Sequence, residues 1–171
     1  GTTAMQTANC YLVNAPGTYS LPLVYGNAID YAKYPANGKN TSAYVSNSSG
    51  TNVLQIFVNH LNAAITDPYI YNNANCAPRD AVLVWQDEQN LVTNVRLAPD
   101  GHNLIFDVSQ ATIKQGNAIV AVRDADSRIM WSWHIWVTDY RLGDDIKTVF
   151  SKNNKSYRMM PVNVGWCDAE T

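Results

Sequence analysis

The side chains able to do chemistry are few and widely spaced. The histidines are His60, His102 and His134, and the cysteines are Cys10, Cys76 and Cys167. Their spacings match no short zinc pattern, and no Cys-x-x-Cys is present to complete one. His134 shares a strand face with Ser132 and Trp136, a setting that suits a hydrogen-bonded histidine near a sheet surface. His102 follows Asp100-Gly101 and reads as a solvated turn residue. Cys10 lies in an apolar stretch and reads as a small buried hydrophobe. With three cysteines one bridge has three choices, and a Cys76–Cys167 bridge needs both an oxidising compartment and close geometry.

The acidic candidates are Asp87-Glu88, Asp124 with Asp126, and Asp144-Asp145. A glycosidase needs two carboxyls facing one another across ~5–9 Å. Adjacent residues on a strand or turn point in different directions and cannot meet that need alone. Asp124-Ala125-Asp126-Ser127 offers oxygens to calcium but lacks the other ligands of a loop motif. There is no Gly-x-Ser-x-Gly elbow and no phosphate-cradling glycine loop. The expectation is a protein without catalytic residues, metal or cofactor, and not an enzyme.

The aromatics are the remaining candidates, with 10 Tyr and 5 Trp. Trp131 and Trp133 fall on an apolar strand face and suit a core. Trp136 falls on the other face with Met130 and His134. Exposed there, it would stack on a sugar ring or anchor a protein interface. Tyr31, Tyr34 and Tyr44 lie in an irregular, polar stretch, and a long loop of that kind is often functional. The candidate ligand-binding residues are therefore Tyr31, Tyr34, Tyr44, His134 and Trp136.

These candidates need a scaffold, and the composition bounds it. The chain has 171 residues, 15% charged, with a net charge of −2. That size suits one domain with a sizeable core. The near-neutral balance lacks the basic footprint of a nucleic-acid binder. No run of about 18 apolar residues is present to span a membrane. No charged start followed by an apolar run opens the sequence, as expected of a mature form or an excised domain. Asn, Thr, Ser and Gln outnumber Lys and Glu, which favours strands joined by turns.

The chain divides into short strands. Ala8–Asn14 is followed by a turn at Ala15-Pro16-Gly17 and by Thr18–Tyr25, where Pro22 marks an edge or a bulge. Residues 26–50 form a long surface excursion. In Asn52–Ile65 the residues Val53, Phe57, His60 and Ala64 would line one helical face, but β-branched Val53, Ile56 and Val58 favour two strands at Val53–Val58 and Ala64–Tyr71. Ala81–Gln86, Leu91–Leu97, Leu104–Val108 and Ala118–Arg123 follow, with Asp100-Gly101 as a hairpin signal. In Arg128–Asp139 the odd positions Ile129, Trp131, Trp133, Ile135 and Val137 are all apolar, so that face belongs in the core. Met160, Val162, Val164 and Trp166 alternate as a closing strand. The expected fold is all-β, an immunoglobulin-like β-sandwich of antiparallel strands in a single domain over 8–168. Residues 1–7 are then an N-terminal extension.

Four phrases carry a resemblance. They are Ala8-Asn-Cys-Tyr-Leu-Val with Ala15-Pro-Gly-Thr-Tyr; Gly116-Asn-Ala-Ile-Val-Ala-Val-Arg-Asp; Ile129-Met-Trp-Ser-Trp-His-Ile-Trp-Val-Thr-Asp-Tyr; and Met160-Pro-Val-Asn-Val-Gly-Trp. Together they resemble cell-surface proteins of gut Bacteroidetes, fimbrillin-like or carrying the Fibrobacter succinogenes major paralogous domain, from about Ala8 to Asp168. Where those proteins close on Met-Asp-Arg-Asn-Leu-Gly, this chain has Met160-Pro-Val-Asn-Val-Gly without the Asp-Arg pair, so no role is carried over from that motif. The resemblance implies an exported fimbrial or adhesive protein at the outer-membrane surface, a lipoprotein in full-length form. Its implied partners are other surface or fimbrial subunits, or glycans. Two other classes stay open: a carbohydrate-binding module using exposed Tyr or Trp, and a hydrolase whose site assembles in space.

Overall fold

The computed structural model describes residues 4–45, 57–141 and 143–168. Its strands are β1 (Cys10–Val13), β2 (Gly17–Pro22), β3 (Asp80–Gln86), β4 (Thr93–Leu97), β5 (Asn103–Val108), β6 (Gly116–Arg123), β7 (Ile129–Val137), β8 (Lys147–Phe150) and β9 (Ser156–Met159). They form a four-stranded sheet in the order β1-β7-β6-β3, a three-stranded sheet in the order β2-β5-β4, and the separate ribbon β8-β9. The protein is all-β and sandwich-like. No helix among the described residues is long and apolar enough to cross a membrane.

Alternation of side chains along β7 places Trp133, Ile135 and Val137 on the inner face, all buried. Its antiparallel partner β6 brings Ala118, Val120 and Val122 to the same side. Leu104, Phe106 and Val108 of β5, with Leu21 of β2, close the cluster from the other sheet. Toward the start of β7 the alternation breaks: Met130 is buried and Ile129 is 46% exposed. The register of β6 against β7 shifts between Val122 and Arg123, and a bulge of this kind turns the following side chains over.

The strands are not all antiparallel as expected, for β1 runs parallel to β7, with Cys10 opposite His134 and Val13 opposite Val137. Pro22 does end an edge strand, where its missing N–H leaves no ladder bond unmade. Of the strand expected at 53–58, residues 53–56 lie outside the described residues. The strand expected at 64–71 does not form. The buried Asn73 side chain accepts from the backbone N–H of Thr66 (2.9 Å) and Asp67 (3.2 Å) and donates to the carbonyls of Asp67 (3.0 Å) and Tyr69 (2.9 Å). One side chain thus supplies partners a ladder would have supplied, and holds a looped path. The closing strand expected from Met160 to Trp166 is absent too. Pro161 removes a donor there, and Gly165 takes a left-handed φ of 84°.

The core and the ribbon differ in what they contribute. Phe106 is fully buried and stacked on Tyr19 at 5.5 Å, whereas Phe150 on β8 is 68% exposed. Phe106→Ala is expected to cost about 3–5 kcal/mol of unfolding free energy. Phe150→Ala should stay within about 0.5 kcal/mol of the parent. Chemical denaturation of the two variants checks both values.

Candidate functional site

The three loop tyrosines do not form one surface. Tyr44 is only 3% exposed and belongs to the core, so it offers no ring to a ligand. Its neighbour Ala43 packs there too, because the polar-looking excursion folds back on the sandwich through Ala28 and Ile29. Tyr34 is half-buried, with Lys33 Nζ 5.3 Å from its ring centre. Tyr31 is 37% exposed and lies over Gly38, whose φ is 70° and where a Cβ would come within 2.6 Å of the ring. Glycine is required at that contact.

Tyr31 instead neighbours an aromatic group that sequence reading missed. Tyr69 stands 5.6 Å from Tyr71, and Tyr71 stacks on His102 at 4.1 Å. Burial, and the adjacent Tyr31, Tyr71 and Asp67, push the Tyr69 phenol above its ordinary range. Polar groups border the patch: Lys39 pairs with Asp67 at 2.7 Å, and Asn72 donates to Asp67 at 3.1 Å. The strand-like spelling of 64–71 concealed this patch, since a regular strand would have sent Tyr69 and Tyr71 along a sheet face.

Trp136 is 1% exposed. Residues 163–168 cross the outer face of the four-stranded sheet as a strap. The Trp136 Nε1–H donates to the Trp166 carbonyl at 2.9 Å, and its ring stacks on Tyr140 at 5.9 Å. Trp136 is therefore packed under the strap rather than presented to a ligand.

His134, by contrast, sits in a row of polar side chains. Its Nδ1 is 3.2 Å from Cys10 Sγ on β1, and its Nε2 is 2.8 Å from Asn117 Oδ1 on β6. Asn117 Nδ2 donates to Asp87 Oδ2 (2.8 Å) and to the Gly165 carbonyl of the strap (3.1 Å). Asp87 Oδ1 accepts the Asn117 backbone N–H at 2.6 Å. Two acceptors on the Asn117 amide nitrogen fix its oxygen toward the imidazole. That oxygen can only accept, so Nε2 carries the proton and Nδ1 presents a lone pair to the thiol. Burial lowers the imidazole below its usual 6.5, opposed by Asp87, and burial raises the Cys10 thiol above 9.0. At neutral pH the pair is a thiol donating to a neutral ring.

The strap completes this arrangement. A Cβ on Gly165 would fall 2.9 Å from Asn117 Oδ1 and 3.3 Å from His134 Cε1. Glycine lets the backbone lie directly against both groups. The row draws on residues 10, 87, 117, 134 and 165, and only the outer-face position of His134 was readable in advance.

A groove opens on the side of the sandwich where β1 and β2 are both edge strands. It holds about 470 Å³ and is lined by Tyr11, Leu12, Val13, Tyr19, Leu21 and Phe106 among others. The parallel ladder settles which β1 groups face it. His134 N donates to Asn9 O and Thr138 N to Val13 O. Asn9, Tyr11 and Val13 are then the residues bonded to β7, and the N–H and C=O of Cys10 and Leu12 point away toward the open edge.

Of the other acidic candidates, Asp124 is engaged internally, while Asp144 and Asp145 are exposed. The Asp124 carboxylate accepts from Asp126 N–H, Arg128 N–H, Arg128 Nε and His60 Nε2, all within 3.1 Å. It braces the β6–β7 turn and leaves little for calcium. All three cysteines are free thiols. Among the described residues no group of three or more His, Cys, Asp or Glu is placed to hold a metal ion. Comparison with protein-family models, curated proteins and solved structures finds no match.

The strap shields part of the His134 ring from water. Because the folded imidazole titrates below 6.5, the unfolded chain takes up this proton first, and its share of stability is lost as pH falls below that value. Gly165→Val should lift the strap, raise the imidazole back toward 6.5 and red-shift the tryptophan emission. A proton NMR titration and a fluorescence spectrum read the two effects.

Proposed function

We propose that this chain is a non-enzymatic surface subunit of fimbrial or adhesive type, an immunoglobulin-like sandwich exported to the outer surface of a gut Bacteroidetes cell. In this reading it makes contact by accepting an extended strand from a second copy. The observation that carries the proposal is the apolar groove between two adjacent open edges. Open edges with unpaired N–H and C=O groups template further strand pairing. Strand addition draws affinity from main-chain bonds and specificity from pockets for alternate side chains. Here Leu12 supplies the outward main-chain groups, and Tyr19, Leu21 and Phe106 supply the apolar floor. The resemblance of the Trp131–Trp136 phrase to fimbrillin-like proteins supports the same class.

Leu12→Pro removes an outward N–H and leaves the bonds to β7 in place. It should weaken self-association about tenfold, the worth of one good hydrogen bond. Tyr19→Asp should weaken it through the apolar floor. Sedimentation velocity over a concentration series makes the measurement, with circular dichroism confirming the fold. A parent protein that stays monomeric at its highest soluble concentration removes the proposal.

A second reading is favoured by the Tyr31, Tyr69, Tyr71 and His102 patch. Aromatic faces bordered by Asp67, Asn72 and Lys39 suit a sugar ring, which has an apolar face and a polar rim. Under it, a glycan array gives at least one signal with the parent protein that Tyr71→Ala loses. Silence across the array at millimolar ligand rejects it.

A further inference from the structure

The row from Asp87 to Cys10 has the order of a nucleophile, a base and an orienting amide. We propose that Cys10 is a nucleophilic thiol that accepts an acyl group from an activated ester, with His134 as its general base and Asn117 as a positioning residue. This goes beyond strand acceptance: the thiol lies on the face of β1 opposite Tyr11 and Val13 of the groove, and the two readings share the outward Cys10 N–H at the strand edge.

The geometry supports each role. Cys10 Sγ at 3.2 Å from Nδ1 is within reach for proton transfer, and Nδ1 is the unprotonated nitrogen. Asn117 Oδ1 holds the other nitrogen at 2.8 Å, and Asp87 holds Asn117 in turn. Arrays of the order Cys–His–Asn run acyl transfer on other folds, so the constellation is defined by geometry and not by position in a chain. A structural histidine would need partners too. It would not need a half-buried thiol on the lone-pair nitrogen, nor a backbone strap shielding the ring. One further donor is in place: the Cys10 N–H is unclaimed by β7 and lies beside the thiol, where it can meet the oxygen of an attacked carbonyl.

In the step itself the S–H proton passes to Nδ1 as sulfur attacks the acyl carbon. A C–S bond forms, the ester C–O bond breaks, and the leaving alkoxide carries off the proton from Nδ1. The products are a thioester on Cys10 and an alcohol, with no redox change. The titratable groups near the imidazole are Cys10 on β1, Asp87 behind Asn117, and Cys167 on the strap, whose Sγ is 3.6 Å from Asn117 Nδ2.

The test uses p-nitrophenyl acetate and the intact chain. The expected result is a burst of about one equivalent of p-nitrophenolate, the amount set by one nucleophile per chain. One acetyl group should then be found on the Cys10 peptide by mass spectrometry. Steady release after the burst would add hydrolysis and also support the site. Cys10→Ser should abolish the thioester, and His134→Gln should slow acylation about a hundredfold, the scale of general-base assistance. Asn117→Ala should slow it less and steepen its pH dependence. An independent measurement needs no variant. Iodoacetamide labelling of Cys10 should be flat with pH through the neutral range, while Cys167 rises about tenfold per pH unit as an ordinary thiol does. Label on Cys167 in place of Cys10, a Cys10 rate rising like that of Cys167, or a folded His134→Gln chain reacting as fast as the parent would overturn the proposal.

Discussion

Strand β7 is paired on both sides, by β1 and by β6, and it carries large apolar side chains on both faces that need cover. Its inner face meets that demand through Trp133, Ile135 and Val137 against the second sheet. Each fully buried large side chain of this type is worth roughly 1.5–3 kcal/mol, so the pairing with Phe106 and Leu104 holds the two sheets together. The outer face carries Trp136, too large and apolar to leave in water, and the strap is what covers it. The rest of the molecule follows from these two acts of covering.

The cover on the outer side has chemical consequences. To reach the Trp136 indole, the strap must pass over His134 and Asn117, and only glycine at 165 allows that approach. The same passage takes part of the imidazole out of water. A ring that would be an ordinary surface titrating group becomes one that stays neutral and keeps a defined tautomer. The polar row is therefore a product of packing an apolar residue two positions away, since alternation places His134 and Trp136 on one side of the sheet.

The inner cover leaves a different mark. The sandwich closes where β3 approaches β4 and stays open where β1 and β2 end their sheets. Tyr19 stacks on the buried Phe106 along the floor of that opening. Edge strands in soluble proteins are usually blunted by charge, by proline or by a covering segment. Here Pro22 blunts only the end of β2, and the β1 edge keeps its outward donors. Strand β1 thus carries a binding edge and, through Cys10, one end of the polar row. A short strand of four residues can do both because its backbone and its side chains point in perpendicular directions.

Much of the scaffold was legible from residue order. Residue order identified the strands between Asp80 and Val137 and most of the inner face of the tryptophan strand, because burial against a second sheet imposes a period of two directly on the sequence, whereas the exposed ribbon β8-β9 went unread. Pro22 announced an edge, since a missing N–H is a local property. What failed was non-local. The bulge that buries Met130, the parallel pairing of β1, the looped path braced by Asn73 and the strap in place of a closing strand all depend on contacts between distant segments. So did the sites: Tyr44 and Trp136 were buried by segments that arrive from elsewhere, and Cys10 met His134 across 124 positions. The sequence by itself determined the seven strands of the two main sheets and, for most of them, which face prefers water. Only the tertiary structure decided which strands became neighbours, because register and strand order are set by the joint burial of many side chains, and no single stretch of chain contains that sum.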